Sequence, residues 1–415
     1  MVRGVVPCAF HHRPLVSASV GLGLGVWLGC SLNGTAALCG ACLFCCLALL
    51  ARRFPEAARL RPFLWGVAAG LARMGLLLLP LPNGALSGAE RMAMIQVRPT
   101  PPASLGEAVR ALAARCDALF LEASPLARAI LLGDKAALSY FQTAAFRYAG
   151  ASHVLALSGL HVSALAGALL LPIPKRFPAL RALAACLFLT FYCALAGFPS
   201  SLMRAAVMTL PPLFAPLFCR RADTASSLAL SFLFIVLLAP MRMFSAGFCL
   251  SFSAVAGIAM FYPRLMRALR RLPQFASAPL AVTLAATLGT LPFTLSFFGA
   301  YPAYSPLSNL LIVPVMSLGL VAAFVALALS FLWLPLGTVF AVPARLLLSA
   351  GETVAEGFSR LPGAVWSVGE ASPAFVLCFF AALMLLSRFC LLEKRTRLAG
   401  AGVLLLFCLS LMILA

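Results

Sequence analysis

Residues 151–171 read ASHVLALSGLHVSALAGALLL. The run is apolar and long enough to cross a bilayer, for which about 20 helical residues suffice. It nevertheless carries His153, Ser158, Gly159 and His161, and with them two of the chain's four histidines. A polar group in hydrocarbon costs on the order of several kcal/mol unless a partner or water satisfies it. The stretch therefore predicts a membrane span that faces a pathway or another helix.

The rest of the chain agrees with a membrane setting. Of 415 residues, 63% are hydrophobic and 10% charged, and the mean hydropathy is +1.04. A soluble domain carries roughly 25% charged residues. The fold class is all-α, a polytopic transmembrane helical bundle of about 13 spans. They fall near 15–32, 35–51, 62–81, 153–172, 179–197, 202–218, 223–239, 244–262, 276–298, 306–332, 335–350, 373–390 and 399–414.

Charge placement orients the spans. Basic residues gather in alternate loops: Arg52, Arg53, Arg59 and Arg61; Lys175, Arg176 and Arg181; Arg220 and Arg221; Arg264, Arg267, Arg270 and Arg271; Arg388, Lys394, Arg395 and Arg397. The loops 33–34, 197–201 and 299–303 carry no charge, and 240–243 carries only Arg242. By the positive-inside rule the N-terminus is cytoplasmic and the C-terminus outside. The segment 335–350 must cross for this parity, although Pro335, Pro343 and Arg345 would also suit an interfacial helix. Most of the net charge of +20 follows from this topology, which leaves little of it to bind a polyanion.

Three segments follow: three spans over 1–81, an external polar interval over 82–152, and a membrane domain over 153–415. The interval opens with a turn-rich patch and a strand-like run, Met92 to Arg98. An amphipathic helix follows over Ala103 to Phe120, with Leu105, Val109, Leu112, Cys116 and Leu119 at helical spacing. A second helix runs over Leu138 to Tyr148. Both are expected on the outer membrane face or against the bundle.

Four constellations carry chemistry. On a continuous helix Ser158 and His161 share a face, His153 lies about two turns earlier, and Gly159 admits a close neighbour or marks a break. The histidines suit a wet path and also suit plain interhelical hydrogen bonding. In GFPSSLMRAAVM (197–208), Gly197 and Pro199 make a turn and Ser200 or Ser201 caps a helix. Arg204 in its first turn either snorkels to headgroups or holds an anion beside the helix amides. SAGFCLSFSAVAGI (245–258), with Gly247, Gly257 and three serines, reads as close helix packing. In 287–317, Pro292, Pro306 and Pro314 interrupt two successive spans with Asn309 between them, a pattern found at transport sites.

Other classes find less support. No Asp or Glu lies in a span core, as ion-coupled carriers usually require. No P-loop and no metal-hydrolase cluster is visible, and no cofactor or metal is expected. Cys39, Cys42, Cys45 and Cys46 lie in an apolar helix without a second ligand cluster, so they read as packing residues. A serine-hydrolase dyad of Ser158 and His161 is disfavoured, because such pairs usually come from different helices. A small-anion transporter or a family remnant stays open.

LLGDKAAL (131–138), HVLALSGLHVSALAG (153–167), FPSSLMRAAVM (198–208), GFCLSFSAVAGI (247–258) and LGTLPFTLSFFGAYPAYSPLSNLLIVP (288–314) resemble, in order and spacing, the ComEC family of bacterial competence proteins. The resemblance covers roughly residues 125 to 320. It implies an inner-membrane channel passing single-stranded DNA into the cytoplasm, with His153, Ser158, Gly159, His161, Arg204 and Asn309 on or beside the path. It also implies an external DNA receptor and a cytoplasmic helicase-type ATPase as partners. Family members usually carry an external OB-like domain and a C-terminal metallo-β-lactamase-like nuclease domain. The interval 82–152 is too short for the first, and no stretch here corresponds to the second, so a separate nuclease is a further expected partner.

Overall fold

The computed structural model describes residues 14–30, 34–50, 60–78, 103–157, 159–218, 222–386 and 394–413. Ser158, the run 92–98 and the basic residues Arg52, Arg53, Arg59, Arg220, Arg221 and Arg388 lie outside the described residues. The apolar runs form helices: α1 (Pro14–Gly29), α2 (Gly34–Leu50), α3 (Arg61–Leu78), α4 (Ala103–Phe120), α5 (Ser124–Leu132), α6 (Tyr140–Tyr148), α7 (Gly159–Leu170), α8 (Pro178–Leu195), α9 (Ser200–Phe214), α10 (Thr224–Leu238), α11 (Ala246–Ala268), α12 (Gln274–Phe298), α13 (Ser305–Leu332), α14 (Leu334–Ser359), α15 (Pro373–Leu386) and α16 (Lys394–Ile413). Two short strands, β1 (Ala300–Pro302) and β2 (Val365–Ser367), pair antiparallel with Tyr301 opposite Trp366.

The protein is an all-α, multi-pass membrane protein. Each predicted span overlaps one of these helices. Among the described residues, six helices have the length and apolar composition to cross a membrane: Pro178–Leu195, Ser200–Phe218 (α9 with the 3-10 turn that follows it), Ala246–Ala268, Gln274–Phe298, Ser305–Leu332 and Leu334–Ser359. The other apolar helices are shorter. Residues 335–350 are part of the single helix α14, with Pro343 inside it.

The chain divides into two compact units. The first holds residues 1–97, 222–260 and 372–415. Its central contact is α1 on α3. A Cβ on Gly21 or Gly25 would collide with the carbonyls of Phe63 and Val67, and one on Gly66 with that of Ala18. Glycine is required here because the two backbones touch, which is how helices gain contact in lipid where burial against water gives nothing. Arg73 on α3 donates from Nε to the Leu237 carbonyl at 3.0 Å and from Nη2 to that of Leu238 at 3.4 Å. It thereby satisfies carbonyls that the C-terminus of α10 leaves open.

The second unit holds residues 98–221 and 261–371. Its spine is the antiparallel pair α13 and α14. Gly337 meets Ser330, Gly319 meets Leu347 and Leu348, and Gly351 meets Met316. Ala341, Ala344, Leu348 and Ala355 continue that seam and are fully buried. The α4–α6 segment climbs this spine. The Arg115 guanidinium sits 4.7 Å from the Phe331 ring centroid at one end of α13. At the other end Gly150 packs against Ser305. The amphipathic period over Ala103–Phe120 is realised in α4, which buries Cys116, Leu119 and Phe120.

Three local expectations are corrected. His153 is not helical: residues 151–157 are turns and bends, and α7 begins at Gly159. The cause lies upstream. Gly150 has φ 77°, and the amides of Gly150 and Ala151 return to the carbonyls of Arg147 and Phe146, a left-handed helix stop that redirects the chain. Second, the prolines do not interrupt the spans. Pro292 and Pro314 lie inside continuous helices and Pro306 in the first turn of α13. A first-turn proline lacks only an amide that would be unpaired anyway, and interior prolines are accommodated by neighbouring helices. Asn309 lies in α13, within the span expected over 306–332. Third, Pro199 rather than Ser200 or Ser201 is the N-cap of α9, with no side-chain cap, because the Ser201 hydroxyl is engaged elsewhere.

Candidate functional site

The site is assembled at the start of α7. Leu157, the last described residue before α7, is buried, and its carbonyl accepts the Ser201 hydroxyl at 2.9 Å. That bond ties the entry of α7 to the first turn of α9. One turn further along α9, Arg204 turns inward and is only 8% exposed. A Cβ built on Gly159 would lie 3.3 Å from Arg204 Nη2 and 3.6 Å from the Ala205 Cβ. The guanidinium therefore lies against the first residue of α7, in space that glycine leaves open. Arg204 Nη1 also stands 3.5 Å from the Met208 sulfur, one turn on.

The backbone turn before α9 fixes this geometry. The Gly197 amide bonds the Ala194 carbonyl at 3.2 Å and the Phe198 amide that of Cys193 at 2.8 Å. This double bond pattern closes α8 with a left-handed residue. Gly197 has φ 72°, and Phe198 follows with φ 53°. A non-glycine residue there is uncommon, and it is held by its packing on the main core of buried side chains. Two consecutive left-handed residues reverse the chain sharply enough to bring Arg204 back toward α7.

His161, in the first turn of α7, is buried at 2% exposure, and lies close enough to His153 for the two rings to interact electrostatically. His153 is exposed on the polypeptide surface and hydrogen-bonds the Gly150 backbone. Gly150 leads to a second group of polar residues. The Ser308 hydroxyl bonds the Ala149 carbonyl, and the next residue, Asn309, is buried with Oδ1 lacking a hydrogen-bond partner. The connection 151–157 thus joins two polar clusters, Gly159 with Arg204 and Gly150 with Ser308 and Asn309.

Chemically, the first cluster combines a buried guanidinium with the amino end of a 12-residue helix. Both carry positive potential, and amides at a helix start already favour an anion. Among the described residues no group of His, Cys, Asp and Glu could hold a metal ion.

Gly247 and Gly257 lie in α11, within the part that belongs to the first unit, while Arg204 belongs to the second. Pro292 is buried in α12 and Pro314 lies on α13. Sequence reasoning missed Ser201 as the residue that fixes the α7 entry. It also missed helix α5, whose Arg128 pairs with Asp134 at 2.5 Å and with Asp117 at 3.2 Å. An aspartate on each side of SPLARAILL is the signal that marks this clamp.

Comparison with known proteins completes this description. The profile described as Competence protein matches residues 130–394, which covers both clusters. The chain is 29% identical over 284 residues to the ComE operon protein 3 of Bacillus subtilis (strain 168), an alignment that covers 66% of this chain and 35% of that protein. The match spans about a third of the relative's length. No solved structure matches. By the family profile, which covers more than half of its length, this chain belongs to the competence protein family.

Proposed function

We propose that this protein is the membrane channel of a DNA-uptake system and passes single-stranded DNA across the cytoplasmic membrane. The observation that carries the reading is the packing of Arg204 on Gly159. A buried guanidinium at a helix start holds a phosphodiester by charge and by amide hydrogen bonds together. In this reading His153, Ser158, Gly159, His161 and Arg204 lie on or beside the path. Asn309 contributes from the second cluster. The helix ends at Gly197 and Pro199 aim Arg204. The prolines Pro292, Pro306 and Pro314 shape helix packing within the same unit, and Gly247 and Gly257 shape helix packing within the first unit.

The chain acts as a conduit rather than a catalyst. An external receptor delivers DNA, and a cytoplasmic helicase-type ATPase draws it inward. The N-terminus is cytoplasmic, residues 82–152 form an external interval, and residues 153–415 form the channel domain in a bundle of about 13 crossings. The test is entry of labelled DNA into cells whose chromosomal copy is deleted and complemented with wild type or Arg204→Ala. Loss of entry in the deletion and in the variant, at equal membrane level of the variant, supports the reading. Undiminished DNA entry in the deletion strain overturns it, and transport of a small anion by the purified protein would then identify its cargo.

A further inference from the structure

Arg345 lies in the interior of the long helix α14 of the same unit. It lies about 16 Å from the Leu334 end of α14 and about 21 Å from the Ser359 end, at 1.5 Å per residue. Its Nε is buried without a hydrogen-bond partner, and none of the ion pairs among the described residues includes it. The residue as a whole stays partly exposed. Three carboxylates of this region are engaged elsewhere. Asp117 and Asp134 hold Arg128, and Glu352 accepts from Gln142 of α6 at 2.7 Å.

The direction of Arg345 follows from the register of α14. Gly337, Ala344, Leu348 and Gly351 face α13. Arg345, Ser349 and Glu352 follow one another at helical spacing on the adjoining stripe, and the bond from Gln142 shows that this stripe faces the climbing α4–α6 segment. A charged side chain in a spanning helix persists when it faces a bundle interior or a water-filled cavity. We infer that Arg345 lines a wet groove between α14 and the α4–α6 segment and binds an anionic phosphodiester there, as a second guanidinium after Arg204. The ligand class rests on the proposed function; the wet, anion-attracting groove does not.

The experiment separates the two. A single cysteine at Ser349, one turn from Arg345 and exposed, is placed in full-length protein whose reactive native cysteines are replaced. Labelling by a small anionic methanethiosulfonate is compared with labelling by a cationic one of similar size. The expected result is a preference for the anionic reagent of roughly tenfold, which falls to parity with Arg345→Gln and persists with Arg345→Lys. A saturating single-stranded oligonucleotide should slow labelling of the wild-type arginine background alone. An unreactive position 349, or a rate indifferent to reagent charge, overturns the groove. If the preference stands and the oligonucleotide has no effect, the phosphodiester assignment falls.

Discussion

Arg204 and Gly159, 45 positions apart in sequence, meet so closely that a methyl group on the glycine would lie 3.3 Å from the guanidinium Nη2. Such a contact is tighter than ordinary van der Waals separation, and one of the two partners must move to admit a side chain. Because the partner is the end of a flexible side chain, the helix itself need not shift.

Gly159→Ala should displace the guanidinium and leave folding nearly intact. Uptake of labelled DNA is expected to fall about tenfold, equivalent to about 1.4 kcal/mol, at normal membrane level. In an Arg204→Ala background the same change should add little, because both substitutions remove one interaction. Additive losses would show that the two residues act separately.

Arg204→Ala should itself reduce uptake about a hundredfold, for a loss of about 1 to 3 kcal/mol of charge-assisted hydrogen bonding. Arg204→Lys should recover only part, since an ammonium lacks the two-pronged donor geometry. Normal uptake by the alanine variant would reduce Arg204 to a packing residue.

Ser201→Ala removes the hydroxyl that holds the Leu157 carbonyl. The direct cost is about 1 kcal/mol. The entry of α7 should loosen, and proteolysis in mild detergent should cut near 151–157 faster than in wild type. Unchanged cleavage would mean that the bond does not restrain this turn.

His161 is enclosed, at 2% exposure. His161→Phe should overfill its site at a cost of about 1 to 3 kcal/mol and lower the melting temperature of purified protein. His161→Gln keeps a donor and an acceptor and should retain more stability and more uptake. Equal behaviour of the two variants would remove polarity as the reason for a histidine here.

The orientation is tested by a cysteine at Arg270 and one at Gly299. A membrane-impermeant thiol reagent applied to intact cells should label position 299 and spare 270, as the four-arginine loop requires. Labelling of 270 would invert the topology.

Helices were legible wherever an apolar run was long. Gln274–Phe298 and Ser305–Leu332 lie within two residues of their expected limits, because a membrane span must be helical to satisfy its own backbone. The start of α7 was not legible. Ala151–Leu157 is as apolar as a helix, and hydropathy is blind to the left-handed Gly150 that turns the chain aside. The prolines misled for a related reason, since a proline breaks a helix in water and is absorbed when neighbours pack around it. Within the site, His161 and Arg204 stood out by being polar in apolar surroundings. Their arrangement did not, because the Gly159–Arg204 contact depends on a reversal at Gly197 and Phe198 whose consequence only three dimensions reveal.

The climb of α4–α6 along α13 has a bearing on topology maps. Arg115 rests at the Phe331 end of that helix and Gly150 at the Ser305 end, about 39 Å apart along its axis. The hydrocarbon layer is about 30 Å thick. The intervening chain covers that height in pieces of nine residues, α5 and α6, each far too brief to register in a 19-residue hydropathy window. Reporter fusions placed at 115 and at 150 would therefore sit at opposite ends of a spanning helix while a hydropathy plot assigns them to one loop. Fusions that report 115 and 150 on opposite faces would be the signature of this concealed passage, and would add one crossing to the 13 and reverse the side assigned to Arg270.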